Sequence, residues 1–112
     1  LATTLNEIAN QSQVSIVLND LAIPIKPAVT GACEMLGLDP LYVANEGKLI
    51  AIVAEEDAAD ILKVMQRTTY GKEAAIIGEV RASPTAIVLL KTSYGSTRIV
   101  DTLSGEILPR IC

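Results

Sequence analysis

The sequence predicts a two-layer α+β domain, in which helices pack on one face of a mixed or mostly antiparallel sheet. Two observations support this class. Stretches with apolar residues at helical spacing alternate with short apolar runs typical of strands, and the last third of the chain holds three strand-like runs with no helix between them. The length of 112 residues fits one domain, residues 1–112, and we expect residues 104–112 to form a flexible C-terminal tail.

Three helices are predicted. The first begins near Thr4, which forms a capping-box pattern with Glu7. The second begins at Pro27 and ends at Gly37, and Cys33 lies on its apolar side, facing the core. Its apolar stripe comprises Val29, Ala32, Cys33 and Leu36. The third helix follows an acidic run, and its apolar stripe comprises Ala58, Ile61, Leu62 and Met65.

The strands are predicted from apolar runs that turn residues separate. They cover residues 14–18, 41–44, 48–53, 75–80, 87–90 and 97–100. A first hairpin is expected to turn at Asn45-Glu46-Gly47, where the glycine can take a positive φ. A bend is expected at Gly78, and a second hairpin at Tyr94-Gly95-Ser96.

Composition excludes several functional classes. Half of the residues are hydrophobic but none is Phe or Trp, so the core must consist of Ile, Leu, Val and Ala. A net charge of −4 without a basic cluster argues against nucleic-acid binding, and no apolar run approaches the ~18 residues of a membrane span. The absence of His excludes a Ser-His-Asp triad, a Cys-His dyad and histidine metal sites, and no zinc spacing is present. A disulfide between Cys33 and Cys112 is possible, but two thiols in an ordinary acidic domain fit a reducing cytosol better, so a cytoplasmic protein is expected.

Two residues are candidates for chemistry. Cys112 is the last residue, behind Pro109, and a thiolate is the most nucleophilic side chain near neutral pH. The alternative is an incidental thiol on a frayed end. Glu46 lies on the tip of the predicted first hairpin, where loop residues carry function, although a turn glutamate can also serve solubility alone. No glycine-rich phosphate-binding motif is present, so the residues by themselves indicate no reaction.

Five segments of the sequence resemble the C-terminal domain of the HypE family of hydrogenase maturation factors. They are residues 2–9, 37–42, 44–49, 75–80 and 108–112. The likeness runs from end to end, and the terminal Pro-Arg-Ile-Cys is its most specific part. The opening Ala-Thr-Thr-Leu is similar to a wider superfamily that includes aminoimidazole-ribonucleotide synthetase, selenophosphate synthetase and thiamine-monophosphate kinase.

The resemblance implies an ATP-dependent carbamoyl dehydratase that makes the cyanide ligands of nickel–iron hydrogenase. In such a protein HypF transfers a carbamoyl group to the terminal cysteine, here Cys112, and dehydration then gives a protein thiocyanate. Cyanide passes to iron on the HypC–HypD complex. Glu46 matches the family position of the general base. The supporting residues implied around these two are Asn45, Gly47, Pro109 and Arg110.

The resemblance also implies a part that this chain lacks. ATP and Mg²⁺ are expected to bind mainly to an N-terminal domain, which also forms the homodimer of the full-length protein. The isolated chain is therefore not expected to carry out the dehydration. Two alternatives stay open: the C-terminal domain of another ATP-using member of the superfamily, and a non-catalytic interaction module in which Cys112 is incidental.

Overall fold

The computed structural model describes residues 1–102, which form three α-helices, two short 3-10 helices and four strands. In chain order they are α1 (Ala2–Ser12), β1 (Val14–Asn19), η1 (Asp20–Ala22), α2 (Pro27–Leu36), η2 (Pro40–Tyr42), α3 (Glu55–Gln66), β2 (Gly78–Ala82), β3 (Ile87–Lys91) and β4 (Thr97–Ile99). No helix within these residues is long and apolar enough to cross a membrane.

The four strands form one mixed sheet with the order β2-β1-β3-β4. β1 runs antiparallel to β2 and parallel to β3, and β3 runs antiparallel to β4. Helix α1 packs on the two central strands, β1 and β3. A mixed sheet with helices confirms the predicted α+β class.

The core lies between α1 and the centre of the sheet and contains no aromatic side chain among its buried members. Its buried residues are Ala2, Leu5, Ala9, Ile16, Leu18, Leu41, Val88, Leu90 and Val100. They are all Ala, Ile, Leu or Val, as the composition predicts. Cys33 is a separate buried free thiol on α2, which confirms its predicted inward position.

Local signals predicted several element ends correctly. Pro27 occupies the first turn of α2, and Gly37 ends that helix with a φ of 68° in the left-handed region. β3 and β4 form the predicted second hairpin, with Gly95 at a φ of 82° in its turn. Gly78 is the first residue of β2, where a Cβ atom would overlap the carbonyl oxygen of Val17. That strand begins three residues later than predicted and continues to Ala82.

The predicted first hairpin, residues 41–44 and 48–53, is wrong. Pro40–Tyr42 is a 3-10 helix, and residues 43–54 have no regular secondary structure. The fixed φ of Pro40 and the hydrogen bond from the Leu41 N–H to the Asp39 side chain favour a helical turn at this point. In the second run Leu49 is 77% exposed whereas Ile50 packs against the core, so this apolar run does not cover a continuous surface as a buried strand would.

The predicted helix surfaces also need correction. α1 begins at Ala2, so Thr4 and Glu7 lie inside the helix and do not form the expected capping box. On α2 only Cys33 is buried, whereas Val29 and Leu36 are exposed. The four stripe residues of α3 are half-buried, and no residue of that helix is fully buried. The spacing of apolar residues therefore predicted where the helices lie better than it predicted which of their side chains are buried.

Candidate functional site

Glu46 lies in the irregular segment between η2 and α3, residues 43–54, which we call the Glu46 segment. Asn45, Glu46 and Gly47 are all exposed to solvent. Gly47 has a φ of 75°, which confirms the predicted positive φ and allows the chain to bend there. The carboxylate of Glu46 is thus open to an incoming group.

Residues on both sides of Glu46 are attached to the core. On its N-terminal side Leu41 is buried in the core cluster, and the half-buried Tyr42 packs against that cluster. Within the segment, the half-buried Ile50 packs against the same cluster. These contacts flank Glu46 in the sequence, so they limit where its carboxylate can lie.

Asp39 fixes the start of η2 through both of its carboxylate oxygens. Oδ1 accepts a hydrogen bond from the Leu41 N–H at 3.0 Å. Oδ2 accepts one from Nη2 of Arg98, on β4, at 2.8 Å. Neither Asp39 nor Arg98 was predicted as a site residue. An Asp directly before Pro at a turn is a helix-start signal that could have indicated Asp39, whereas no local signal could have indicated its distant partner.

The strand that leads toward Cys112 is held at its end by main-chain and side-chain hydrogen bonds. The N–H of Val100 donates to the carbonyl oxygen of Val88 at 2.8 Å, and Nδ2 of Asn6 donates to the carbonyl oxygen of Val100 at 2.9 Å. Val100 itself is fully buried. The chain therefore leaves the sheet toward residues 103–112 from a fixed point.

The other predicted site residues lie outside the described residues. They are Pro109, Arg110 and Cys112, together with the whole predicted tail, residues 104–112. The structure brings Asn45, Glu46 and Gly47 together on one exposed bend. The role of Cys112 as nucleophile stays a prediction.

The described residues do not fit an ATP·Mg²⁺ site. Within residues 1–102 no three Asp, Glu, Cys or His side chains are grouped so that they could hold a metal ion. The cleft between the ends of β1 and β2 has a volume of about 200 Å³ and is lined mainly by apolar side chains and backbone, such as Val17, Ile76 and Gly78. Lys91 and Asn19 also line this cleft, together with the acidic Glu79. A triphosphate is usually held by several converging donors or cations, whereas this cleft has one cation beside a carboxylate.

The sequence of residues 1–91 matches the AIR synthase related protein, C-terminal domain. The chain belongs to this family. It is 57% identical over all 112 residues to carbamoyl dehydratase HypE of Cupriavidus necator, and 58% identical to that of Bradyrhizobium diazoefficiens. Both alignments cover 100% of this chain and 32% of the relative, so the chain spans about a third of the length of these proteins. The predicted resemblance to HypE is confirmed.

Solved structures of HypE share the fold of this chain. A crystal structure of the hydrogenase maturation protein HypE matches with a TM-score of 0.91 and 47% identity, over 100% of this chain and 37% of the other. HypE in complex with ATP matches with a TM-score of 0.88 and 42% identity, over 96% and 34%. A HypE–HypF complex matches with a TM-score of 0.84 and 43% identity, over 89% and 32%.

Proposed function

We propose that this chain is the C-terminal domain of a HypE-type carbamoyl dehydratase, which makes the cyanide ligands of nickel–iron hydrogenase. One observation carries the proposal: the alignment with proteins of that name covers all 112 residues, so it reaches the last residue, Cys112. An incidental thiol on a frayed end would not require the alignment to continue to the last residue.

In the proposed reaction Cys112 carries the group that is transformed. Its thiol loses a proton, and the sulfur takes the carbamoyl group from the donor that HypF holds as the carbamoyl–donor bond breaks. The product is a thiocarbamate, Cys–S–CO–NH2. The carbonyl oxygen then attacks the γ-phosphorus of ATP and ADP leaves. Phosphorylation converts a poor leaving group into a good one. Loss of phosphate breaks the C–O bond, both amide protons leave the nitrogen, and Cys112 ends as a thiocyanate, S–C≡N.

Glu46 is the residue of this chain that can remove a proton from the carbamoyl nitrogen. Its carboxylate is exposed on a bend whose flanking residues are attached to the core, so it can meet a group brought to it by another segment. A positioned carboxylate within hydrogen-bond reach of the amide is a suitable general base. Asn45 and Gly47 support it by shaping the bend, and we assign Pro109 and Arg110 a supporting role near Cys112.

ATP and Mg²⁺ bind mainly to a part of the protein outside this chain. HypE has been crystallised with ATP, which supports ATP as the phosphoryl donor of the family. As the resemblance to HypE implies, we assign the metal to an N-terminal domain, which also forms the homodimer. This chain then supplies the carrier thiol and the base.

The partners follow from the chemistry of the carrier. HypF loads the carbamoyl group, and the HypE–HypF complex supports this contact. The HypC–HypD complex receives the cyanide on iron. We place the protein in the cytoplasm, the reducing compartment in which a carrier thiol stays available.

Mass spectrometry of the full-length protein tests the proposal. With HypF, carbamoyl phosphate and ATP, the peptide that contains Cys112 should gain a carbamoyl group and then lose the mass of one water. Cys112→Ala should abolish both changes, whereas the control Cys33→Ala should leave both intact because Cys33 is a buried thiol on α2. A carbamoyl group on another residue, or an unmodified wild-type protein, would overturn the proposal.

A further inference from the structure

Asp39 connects the Glu46 segment with the strand that leads toward Cys112. Its two oxygens have different partners: Oδ1 accepts from the Leu41 N–H at 3.0 Å, and Oδ2 accepts from Nη2 of Arg98 at 2.8 Å. Asp39 and Arg98 are 59 residues apart in the sequence. A single carboxylate therefore ties the start of η2 to β4.

On the η2 side this contact controls where the Glu46 segment begins. The N–H of Tyr42 donates to the carbonyl oxygen of Asp39 at 3.0 Å, so the turn closes around Asp39 itself. The residues that follow have no strand or helix of their own up to α3. The position of Glu46 consequently depends on how η2 is seated.

On the β4 side the contact lies near the point where the chain leaves the sheet. Arg98 is paired with Leu90 in the β3–β4 register, two residues before the buried Val100. Residues 103–112, which end in Cys112, follow directly. The two segments that supply the proposed base and the proposed carrier thiol are thus joined close to their origins.

The exposure of the pair indicates that stability is not its main contribution. The side chains of Arg98 and Asp39 are 43% and 34% exposed, and ion pairs in such surroundings add little to folding. A second pair, Arg81–Glu79, lies within β2 at the opposite edge of the sheet. It joins residues two positions apart, so it connects no distant segments and serves as a matched control.

We propose that Asp39 and Arg98 are positioning residues for the dehydration step. They hold the Glu46 segment in a fixed position relative to β4, the strand that precedes the C-terminal residues. The role rests on the proposed function, in which Glu46 takes a proton from the carbamoyl group on Cys112. Arg98 holds the carboxylate of Asp39, and Asp39 in turn holds η2, the turn from which the Glu46 segment continues. Small displacements of a catalytic group lower a rate strongly, so a weak contact suffices for this role.

The test separates loading from dehydration in the full-length protein. Carbamoylation of Cys112 by HypF is measured first, and the carbamoylated protein is then mixed with ATP in a single turnover. Arg98→Met removes the charge and keeps the side-chain length, whereas Asp39→Asn keeps an oxygen for the Leu41 N–H. Arg98→Lys restores a cation, which is adequate because only one Nη2–Oδ2 hydrogen bond is present.

We expect Arg98→Met and Asp39→Asn each to slow dehydration about two- to fivefold, the range of a surface ion pair. Loading should be unchanged, and Arg98→Lys should recover most of the rate. The double variant should be no slower than either single variant, because both remove the same contact. Arg81→Met should behave as wild type.

If Arg98→Met and Asp39→Asn slow loading and dehydration equally, the pair only supports the fold. If neither variant changes the dehydration rate, the pair does not position Glu46. Amide hydrogen exchange gives a readout that does not need activity. If the pair positions the Glu46 segment, its amides exchange faster in Arg98→Met and not in Arg81→Met. If the wild-type protein forms no thiocyanate but Arg98→Met still exchanges faster than wild type, the proposed function is rejected and the link between Arg98 and the Glu46 segment stands. If exchange in Arg98→Met equals that of wild type, the link itself is rejected.

Discussion

The side-chain amide of Asn6 joins helix α1 to the end of the sheet at Val100. Nδ2 donates to the carbonyl oxygen of Val100 and to that of Ala2, both at 2.9 Å, so both amide hydrogens are used. The two residues of the long-range bond are 94 positions apart. One polar side chain therefore holds the first helix against Val100, the residue that directly follows β4.

Replacement of Asn6 by Ala should lower the free energy of unfolding by about 1–2 kcal/mol, because the two carbonyl oxygens lose a partly buried donor. The exposed Asn10, on the same helix, provides the control: Asn10→Ala should change stability by less than about 0.5 kcal/mol. Urea denaturation followed by circular dichroism measures both. Equal effects of the two substitutions would contradict the role assigned to Asn6.

Gly78→Ala should destabilise the protein by roughly 3 kcal/mol, at the upper end of the usual cost of overpacking. The added Cβ would overlap the Val17 carbonyl oxygen, and this close neighbour belongs to the backbone, which cannot rotate away. Gly31→Ala, inside α2, meets nothing within 4 Å and should stabilise by about 0.5–1 kcal/mol through helix propensity. Thermal unfolding of both variants checks the contrast, and a tolerated Gly78→Ala would show that β2 can move away from β1.

Leu18→Ala should cost about 2–5 kcal/mol, because the side chain is 2% exposed and its removal leaves a cavity in the core. The same change at Leu49, which is 77% exposed, should have almost no effect. Denaturant midpoints of the two variants give the comparison. A large loss of stability in Leu49→Ala would mean that this side chain is buried against another part of the protein, which would contradict its exposed position.

Sequence reasoning succeeded where a feature depends on neighbouring residues. The start of α2 at Pro27, its end at Gly37 and the bend at Gly47 each follow from what one residue type does to its own backbone dihedral angles. The composition of the core followed from the absence of Phe and Trp. These are short-range or compositional constraints, and the sequence states them directly.

It failed where the outcome depends on a distant partner. The apolar run in residues 48–53 has the composition of a strand, but pairing requires a neighbouring strand, and the sequence does not say whether one is present. The same limit applied at the site. Glu46 could be selected from its turn and the family resemblance, whereas the contact between Asp39 and Arg98 exists only because the fold brings two distant segments together.

Gly47→Val should disturb the Glu46 segment while it leaves the core unchanged. A β-branched residue at a φ of 75° is strained by about 1–2 kcal/mol, and the chain can relieve this strain by altering the bend. Asn tolerates the left-handed region, so Gly47→Asn is the milder control. In the full-length protein we expect slower thiocyanate formation in Gly47→Val than in Gly47→Asn, with similar unfolding temperatures. Equal rates of thiocyanate formation in the two variants would show that the reaction does not depend on the geometry of this bend.

Glu46→Gln keeps the shape of the side chain and removes the base. General-base catalysis contributes about 10²–10⁴-fold, so the variant should form thiocyanate at least about 100-fold more slowly from carbamoylated protein and ATP. Loading of Cys112 by HypF should be normal, because that transfer needs only the thiol. The control is Glu56→Gln, an exposed glutamate in the first turn of α3. Single-turnover mass spectrometry distinguishes the two steps. Normal dehydration in Glu46→Gln would assign proton removal to a group other than Glu46, whereas a defect in loading alone would place Glu46 at the contact with HypF.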